Sequence, residues 1–314
     1  MNGLELSRAF YEEHGKPMLE EQVPQLLPLL AVGLFGSGSE CFGYDDETSR
    51  DHDFEPGFCL FLPDEDMVDR RTAFLLERAY AKLPREFKGF RRSITAPVGG
   101  PRHGVLRTRE FFSQKIGSAD GTLRLEDWLR VPEYALAECC NGELFFDHYG
   151  EVSAIRQRLA AYPHDVRCKK LAGQLLLMAQ AGQYNYPRCL AHGETAAAQL
   201  AVNEFVNAAL AVIFLLNERY LPFYKWQFRA LRELPILGDS GRVLEYLLCT
   251  PNDEDTAQEK QELIEELASK IITVLQEQQL TEAICGDLEK HAYSVNDRIG
   301  DGALRNAHIL LAIY

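Results

Sequence analysis

A glycine-serine turn that follows a buried strand constrains this chain more than any other feature of its sequence. Residues 29–35 are continuously apolar and include Val32, a pattern typical of a short buried strand. The run leads directly into Gly36 and Ser37. Glycine lets the backbone approach a ligand closely because it has no Cβ, and a helix that starts there offers unpaired N–H groups to an anion. The pattern therefore predicts a phosphate-binding turn, to which the Ser37 hydroxyl adds a donor.

Two aspartates follow this turn after thirteen intervening residues. Asp51 and Asp53 alternate with His52 and Phe54 in a predicted strand, which places both carboxylates on one face about 7 Å apart along the strand. Carboxylates on one face bind hard divalent cations such as Mg²⁺ or Mn²⁺. Such a cation would bridge a triphosphate and favour displacement at its α-phosphorus. The alternative is a solvated acidic loop, which explains the strand-like pattern around the two aspartates less well.

The order and spacing of these residues resemble the DNA polymerase β-like nucleotidyltransferases. Members of that superfamily carry a hydrophobic residue, a Gly-Gly or Gly-Ser pair, a gap of similar length, and two aspartates that alternate with hydrophobic residues. The resemblance implies that Gly36 and Ser37 hold the β- and γ-phosphates of a nucleoside triphosphate (NTP). It also implies that Ser49 belongs to the same nucleotide-binding set and that Asp51 and Asp53 bind the metal.

A longer stretch, residues 36–53, is similar to one bacterial two-domain family of unknown function. Other pieces that match this family lie downstream, at residues 145–147, 155–156, 162–165, 216–220 and 225–226. The resemblance therefore covers most of the chain. It implies a layout like that of kanamycin nucleotidyltransferase, with an acceptor that it does not name.

Two further residues are assigned to the site through the resemblance. The superfamily usually supplies a third carboxylate from a later strand, but the predicted strand at residues 103–107 contains no acid. Glu110, which follows it on the next predicted helix, is the candidate. In related two-domain transferases a basic residue of the helical domain reaches the triphosphate, and Lys225 fits that role. The alternative is that Lys225 packs against neighbouring aromatic residues such as Trp226.

Strand and helix patterns divide the chain into two predicted domains. Strands and helices are mixed in the first part, whereas from residue 125 onward the patterns are helical. We therefore expect an α+β protein. Residues 1–125 would form a nucleotidyltransferase fold, a mixed sheet flanked by helices, and residues 126–314 a helical bundle that binds the acceptor.

The segment 194–217 is apolar around most of its circumference, which predicts the central helix of the bundle. Glu204 on this helix is predicted to be a buried carboxylate, either hydrogen-bonded within the bundle or facing the substrate.

Composition limits the partners and the compartment. The formal net charge of -14 gives no general attraction to a polyanion, so nucleic acid is an unlikely partner. The eight cysteines show no Cys-x-x-Cys spacing, which favours free thiols in a reducing compartment. The longest strongly apolar stretch, residues 208–216, is too short to span a bilayer. With no secretory signal at the N-terminus, we expect a cytoplasmic protein without a membrane span, whose oligomeric state the sequence leaves open.

These patterns predict a nucleotidyltransferase that depends on Mg²⁺ or Mn²⁺. It would move a nucleoside monophosphate from an NTP to a hydroxyl group of an acceptor, expected to be a small molecule, and release pyrophosphate. The first alternative is a catalytically inactive nucleotide-binding or partner-binding protein on the same fold. The second keeps the reaction but makes the acceptor a protein or a tRNA end.

Overall fold

A computed structural model describes residues 1–48, 54–92 and 102–313 of the chain. The chain forms two compact units. The first contains residues 1–123 and 131–160, and the second contains residues 124–130 and the chain from Ala161 onward. The sequence placed a single boundary after residue 125, whereas the chain returns to the first unit for residues 131–160.

The strands of the first unit are β1 (Ala31–Leu34), β2 (Cys59–Leu62), β3 (Glu86–Phe87), β4 (Phe90–Arg91), β5 (Gly104–Arg107) and β6 (Glu143–Asp147). Four of them form a mixed sheet in the order β5-β2-β1-β6. Strand β1 runs antiparallel to both β2 and β6, and β2 runs parallel to β5. In the register, Val32 lies opposite Leu60 on one side and Phe146 on the other. All residues of β1 and β2 are buried, which explains why these strands read as unbroken apolar runs.

Helices surround this sheet and complete the α+β architecture that the sequence predicted. Those of the first unit are α1 (Gly3–Phe10), α2 (Lys16–Gln22), α3 (Ser39–Phe42), α4 (Arg70–Ala81), α5 (Thr108–Ile116), α7 (Glu133–Cys140) and α8 (Glu151–Arg158). Asn2 caps α1 through a reciprocal pair of hydrogen bonds with Glu5. Phe10, Leu30, Phe58 and other apolar side chains from helices and strands form one continuous core.

The described residues of the second unit form a helical bundle. Its helices are α6 (Leu125–Arg130), α9 (His164–Met178), α10 (Tyr186–Ala191), α11 (Thr195–Leu216), α12 (Tyr224–Leu231), α13 (Gly241–Cys249), α14 (Ala257–Glu277), α15 (Leu288–Asn296) and α16 (Gly302–Asn306). Helix α11 packs against α9, α10, α13 and α14, which places it at the centre of the bundle, as predicted.

Helix α11 is longer than the apolar stretch recognised in the sequence. It is long and apolar enough to cross a bilayer by length and composition, but 72% of its most apolar window is buried inside the protein. The core of the bundle therefore accounts for its apolar character. The prediction that Glu204 is buried on this helix is wrong, because Glu204 is exposed together with Asn203 and Asn207. These three polar residues form a narrow stripe on an otherwise apolar helix, and this stripe is the part of the helix that faces solvent.

Candidate functional site

The turn after β1 adopts a backbone conformation that favours glycine. Gly36 has φ +120° and Gly38 has φ +125°, values that other residues rarely adopt. Asn141, which ends α7, holds the turn in place. The Gly36 N–H donates to Asn141 Oδ1 at 2.8 Å, and Asn141 Nδ2 donates to the Gly36 carbonyl at 2.8 Å. The turn is therefore fixed by a side chain that lies 105 positions away in the sequence.

The Ser37 side chain lies between a lysine and a glutamate. Its hydroxyl donates to Glu138 Oε2 at 2.9 Å and accepts a hydrogen bond from Lys115 Nζ at 2.6 Å. Lys115 also forms an ion pair with Glu138. The two side chains are only 23% and 13% exposed, so solvent screens their charges less than it would at the surface. An ammonium group is thus held within hydrogen-bond distance of the hydroxyl that the sequence assigned to phosphate binding.

A cavity of about 520 Å³ lies beside this cluster within the first unit. Its lining residues include three cationic side chains, Arg102, Arg107 and Lys115, and two carboxylates, Glu77 and Glu110. Arg107 Nη1 donates to the Pro63 carbonyl at 2.6 Å, which anchors its guanidinium group. Cavities of this volume hold small organic ligands. The cationic majority among the charged lining residues favours an anionic group in that ligand.

Aromatic rings support the turn and form part of the cavity wall. The Phe35 ring stacks on Phe61 with centroids 4.6 Å apart, and Phe111 meets Phe35 edge-on at 5.2 Å. The Arg156 guanidinium lies 4.9 Å from the centre of the Phe35 ring and donates to the carbonyls of Cys140 and Asn141. Burial lowers the pKa of Arg156. This arginine therefore fixes the backbone that carries Asn141.

A buried carboxylate packs against the same turn. Glu40 is 6% exposed, and its Oε1 atom has no hydrogen-bond partner. Burial raises the pKa of Glu40, and a hydrogen bond to its backbone, followed by the nearby side chains of His103 and Arg102, opposes that rise in part. A Cβ atom on Gly38 would lie 2.3 Å from Glu40 Oε1. Position 38 therefore favours glycine for two reasons, the positive φ angle and the close approach of the Glu40 carboxylate.

The structure brings together only some of the residues that the sequence assigned to the site. Ser37 and Glu110 line the same cavity, and Glu110 lies in the first turn of α5, where it is exposed. Ser49, Asp51 and Asp53 lie outside the described residues, so their nucleotide and metal roles stay predictions. Within the part of the chain that the structure describes, no group of three His, Cys, Asp or Glu side chains is placed to hold a metal ion.

Lys225, the remaining predicted site residue, belongs to α12 of the helical unit. It is exposed, and its ammonium group lies 5.3 Å from the centre of the Trp226 ring. This contact matches the alternative in which the lysine packs against aromatic residues. Its proposed role toward the triphosphate stays a prediction.

Lys115, Glu138 and Asn141 were not predicted from the sequence. They lie 78, 101 and 105 positions from their partners in the turn, and no motif marks them. One signal was available for Lys115. The cavity is lined by residues at the spacing i, i+3, i+4, i+7 and i+8, counted from the residue before α5 to the last turn of that helix, and this spacing marks one face of a helix. They are Arg107, Glu110, Phe111, Gln114 and Lys115.

Comparisons with known proteins give a partial family match. A family model described as a domain of unknown function (DUF4037) matches residues 128–227, which is less than half the chain. The matched segment contains Glu138 and Asn141 but not the Gly36 turn. Among solved structures, the chain is similar to a nucleotidyltransferase-like protein from Exiguobacterium sibiricum, with 13% sequence identity and a TM-score of 0.37. That similarity covers 93% of this chain and 79% of the other. No curated protein matches the chain.

Proposed function

We propose that the first unit binds an NTP at the Gly36 turn and that the protein transfers a nucleoside monophosphate to a hydroxyl group of a small acceptor. One observation carries the proposal. The Ser37 hydroxyl and the Lys115 ammonium group are hydrogen-bonded to each other at the wall of a 520 Å³ cavity, directly after a glycine with a positive φ angle. Backbone N–H groups, a hydroxyl and an ammonium group are the donors that phosphate oxygens accept.

Each residue has a defined part in binding the triphosphate. Gly36 allows the phosphates to approach the backbone, and Asn141 holds that backbone in place. Lys115 donates to phosphate oxygens, with Glu138 keeping the lysine in position before the nucleotide binds. The Ser37 hydroxyl donates its one proton to Glu138 in this structure and would turn to donate it to a phosphate oxygen when the nucleotide binds. Arg102 and Arg107 add positive charge along the cavity, which strengthens the attraction of a polyanion.

Aromatic and amide side chains in the same cavity are suited to a nucleobase. Phe111 lies against Phe35 at the cavity wall. Gln114 lies three residues after Phe111, on the same face of α5, and also lines the cavity. Aromatic rings pack against planar bases, and a carboxamide both donates and accepts hydrogen bonds. The base would therefore bind beside Phe111 and Gln114 of α5, with the phosphates toward Ser37.

Asp51 and Asp53 are proposed to hold the divalent cation, with Glu110 as a third carboxylate. Glu110 lines the described part of the cavity, and its carboxylate is of the ligand type that hard cations prefer. When bound, Mg²⁺ or Mn²⁺ would neutralise negative charge on the triphosphate. In the transfer, the acceptor oxygen forms a bond to the α-phosphorus and the bond from that phosphorus to pyrophosphate breaks. The hydroxyl proton passes to a carboxylate, for which Glu110 is the candidate.

Turnover separates this function from its alternatives. The purified protein would be incubated with Mg²⁺, each of the four NTPs labelled at the α-phosphorus, and a lysate separated into small-molecule, protein and RNA fractions. The proposal predicts pyrophosphate release and label in the small-molecule fraction. Label in the protein or RNA fraction would make the acceptor a macromolecule. NTP binding without release of pyrophosphate would favour an inactive nucleotide-binding protein.

Matched variants test the position of the site in the same assay. Ser37→Ala and Lys115→Met should each reduce pyrophosphate release at least tenfold, the loss expected for one hydrogen bond to a charged group. Lys82→Met removes an exposed lysine of the first unit that does not line the cavity and should leave release unchanged. Equal rates in wild type, Ser37→Ala and Lys115→Met would place the reaction elsewhere.

A further inference from the structure

A second cavity, of about 470 Å³, lies within the helical unit. Side chains from α9, α11 and α12 form its walls, together with residues near the end of α11 and near the C-terminus. They are Gln174, Leu177, Glu204, Asn207, Ala208, Ala211, Leu221, Gln227 and Ile313. All of them except Ile313 fall within residues 128–227, the segment matched by the family model.

The sequence of α11 explains why a hollow forms at this place. Glu204, Asn207, Ala208 and Ala211 have the spacing i, i+3, i+4 and i+7, so they form one stripe along the helix. Half of the other positions on α11 carry buried apolar side chains that are larger than alanine. The two alanines leave space at the base of the stripe, and the two polar residues stand at its exposed end. The cavity wall formed by this stripe is therefore apolar at its buried end and polar at its exposed end.

The chemistry of the lining selects the class of ligand. Among the described residues that line the cavity, Glu204 is the one charged side chain, and none is a lysine, arginine or histidine. Gln174, Asn207 and Gln227 present carboxamides, which both donate and accept hydrogen bonds. Gln227 is oriented by a hydrogen bond from Nε2 to the Pro222 carbonyl at 3.2 Å. A carboxylate, three carboxamides and an apolar floor complement an amine that also carries methylene and polar groups.

We propose that this cavity binds a small organic cation bearing hydroxyl, amine or amide groups, with its positive nitrogen at Glu204. The volume lies in the range of small-molecule sites. A formal net charge of -14 attracts cations to the protein and repels anions. The proposal does not rest on the nucleotidyl transfer proposed above, since it is argued from described lining residues that all lie in the helical unit.

Binding of simple amines and their neutral counterparts tests the proposal on the full chain. Putrescine and choline serve as cationic probes, and butanediol and dimethylbutanol serve as uncharged molecules of matching shape, each measured by ligand-observed NMR and calorimetry. We expect at least one cation to bind the wild type, and its neutral counterpart to bind at least about tenfold more weakly, the factor expected for one charged contact. Failure of both cations to bind at millimolar concentration would overturn the proposal.

Variants locate the binding on the protein. Glu204→Gln keeps the side-chain shape and removes the charge, so it should weaken cation binding at least about tenfold. Glu254→Gln removes an exposed carboxylate that does not line the cavity and should leave binding unchanged. Ala208→Leu should abolish binding by filling the floor. Cation affinity that is the same in wild type, Glu204→Gln and a folded Ala208→Leu protein would overturn the proposal.

The nucleotide site and the cation site can be tested separately. Ser37→Ala should leave cation binding unchanged, because Ser37 belongs to the other unit. Loss of pyrophosphate release in Ser37→Ala with intact amine binding would support both sites. Amine binding in a protein that releases no pyrophosphate with any NTP would remove the transfer reaction and keep the cation site.

Discussion

Asn141 pairs both polar atoms of its side-chain amide with the backbone of Gly36. One hydrogen bond runs from the Gly36 N–H to Oδ1 and the other from Nδ2 to the Gly36 carbonyl, each at 2.8 Å. A carboxamide is the side-chain group that offers one donor and one acceptor in this arrangement. The residue that caps the C-terminal end of α7 thereby determines the conformation of a turn at the end of β1.

Replacement of Asn141 by aspartate should destabilise the protein. A carboxylate cannot donate to the Gly36 carbonyl and would face that carbonyl with a second acceptor. We expect the free energy of unfolding to fall by about 1–3 kcal/mol, together with a loss of NTP affinity. Urea unfolding at neutral pH measures the first effect, with the exposed Asn306→Asp substitution as control. Equal stability of wild type and Asn141→Asp would show that the amide pair does not hold the turn.

Lys115 should contribute charge and not only packing. Lys115→Met keeps most of the side-chain length but leaves Glu138 and the Ser37 hydroxyl without their cation. We expect Mg·ATP to bind at least tenfold more weakly to this variant, since a hydrogen bond to a charged group contributes about 1.5–3 kcal/mol. Lys115→Arg should recover part of the affinity. Calorimetry measures both variants, and an affinity of Lys115→Met equal to that of wild type would remove the lysine from the site.

The two glycines of the turn should respond differently to alanine. In Gly36→Ala the new Cβ meets, among the described residues, only the Phe111 ring at 3.5 Å, so we expect the cost to come from the φ angle. In Gly38→Ala the Cβ would also lie 2.3 Å from Glu40 Oε1. We therefore expect Gly38→Ala to reduce the unfolding free energy more than Gly36→Ala.

Shortening Glu40 should relieve part of that loss. In a double-mutant cycle of Gly38→Ala and Glu40→Ala, the two changes should be non-additive, because the second removes the clash created by the first. Chemical unfolding of the four proteins gives the coupling free energy. Additive effects would show that the turn avoids the contact by another route.

Burial of Glu40 should make stability depend on pH. Its pKa is raised in the folded protein, so the native state holds this proton more tightly than the unfolded chain does. Stability then falls as pH rises from the ordinary value of 4.5 toward the higher folded value. Glu40→Gln cannot lose a proton, so the difference in unfolding free energy, variant minus wild type, should increase between about pH 4 and pH 7. A difference that is constant over this range would contradict the assignment.

Local patterns in the sequence predicted much of the fold. The apolar runs that became β1 and β2 are bounded by glycine and proline, and both strands are buried on both faces, so no alternation had to be recognised. Strand β6 was not predicted as part of this sheet, because its residues are all partly exposed and it pairs with β1 from more than a hundred positions away. Its pairing places residues 131–160 in the first unit, where the sequence expected the helical domain to begin.

The candidate site shows the same division between local and long-range information. The sequence predicted a glycine turn after the first strand, and Gly36 has the positive φ angle that favours glycine. The binding of a ligand at this turn stays a prediction. The contacts of Lys115 and Glu138 depend on how α5 and α7 pack, and ordinary charged residues on helix surfaces carry no mark of such packing. Glu204 was misjudged for a related reason. Helix α11 is apolar on average, but it carries a stripe of polar residues that face solvent. Which side of the helix faces solvent depends on how the neighbouring helices pack, and the sequence of α11 alone does not give that.

Calorimetric titration with Mg·NTPs tests the central claim, that the Gly36 turn and the aspartate pair bind a nucleoside triphosphate with its metal. We predict that at least one NTP binds the wild type, and that Asp51→Asn/Asp53→Asn and Ser37→Ala each weaken this binding at least tenfold, the former only when Mg²⁺ is present. Absence of binding by all four Mg·NTPs, or equal affinity in wild type and both variants, would contradict the account.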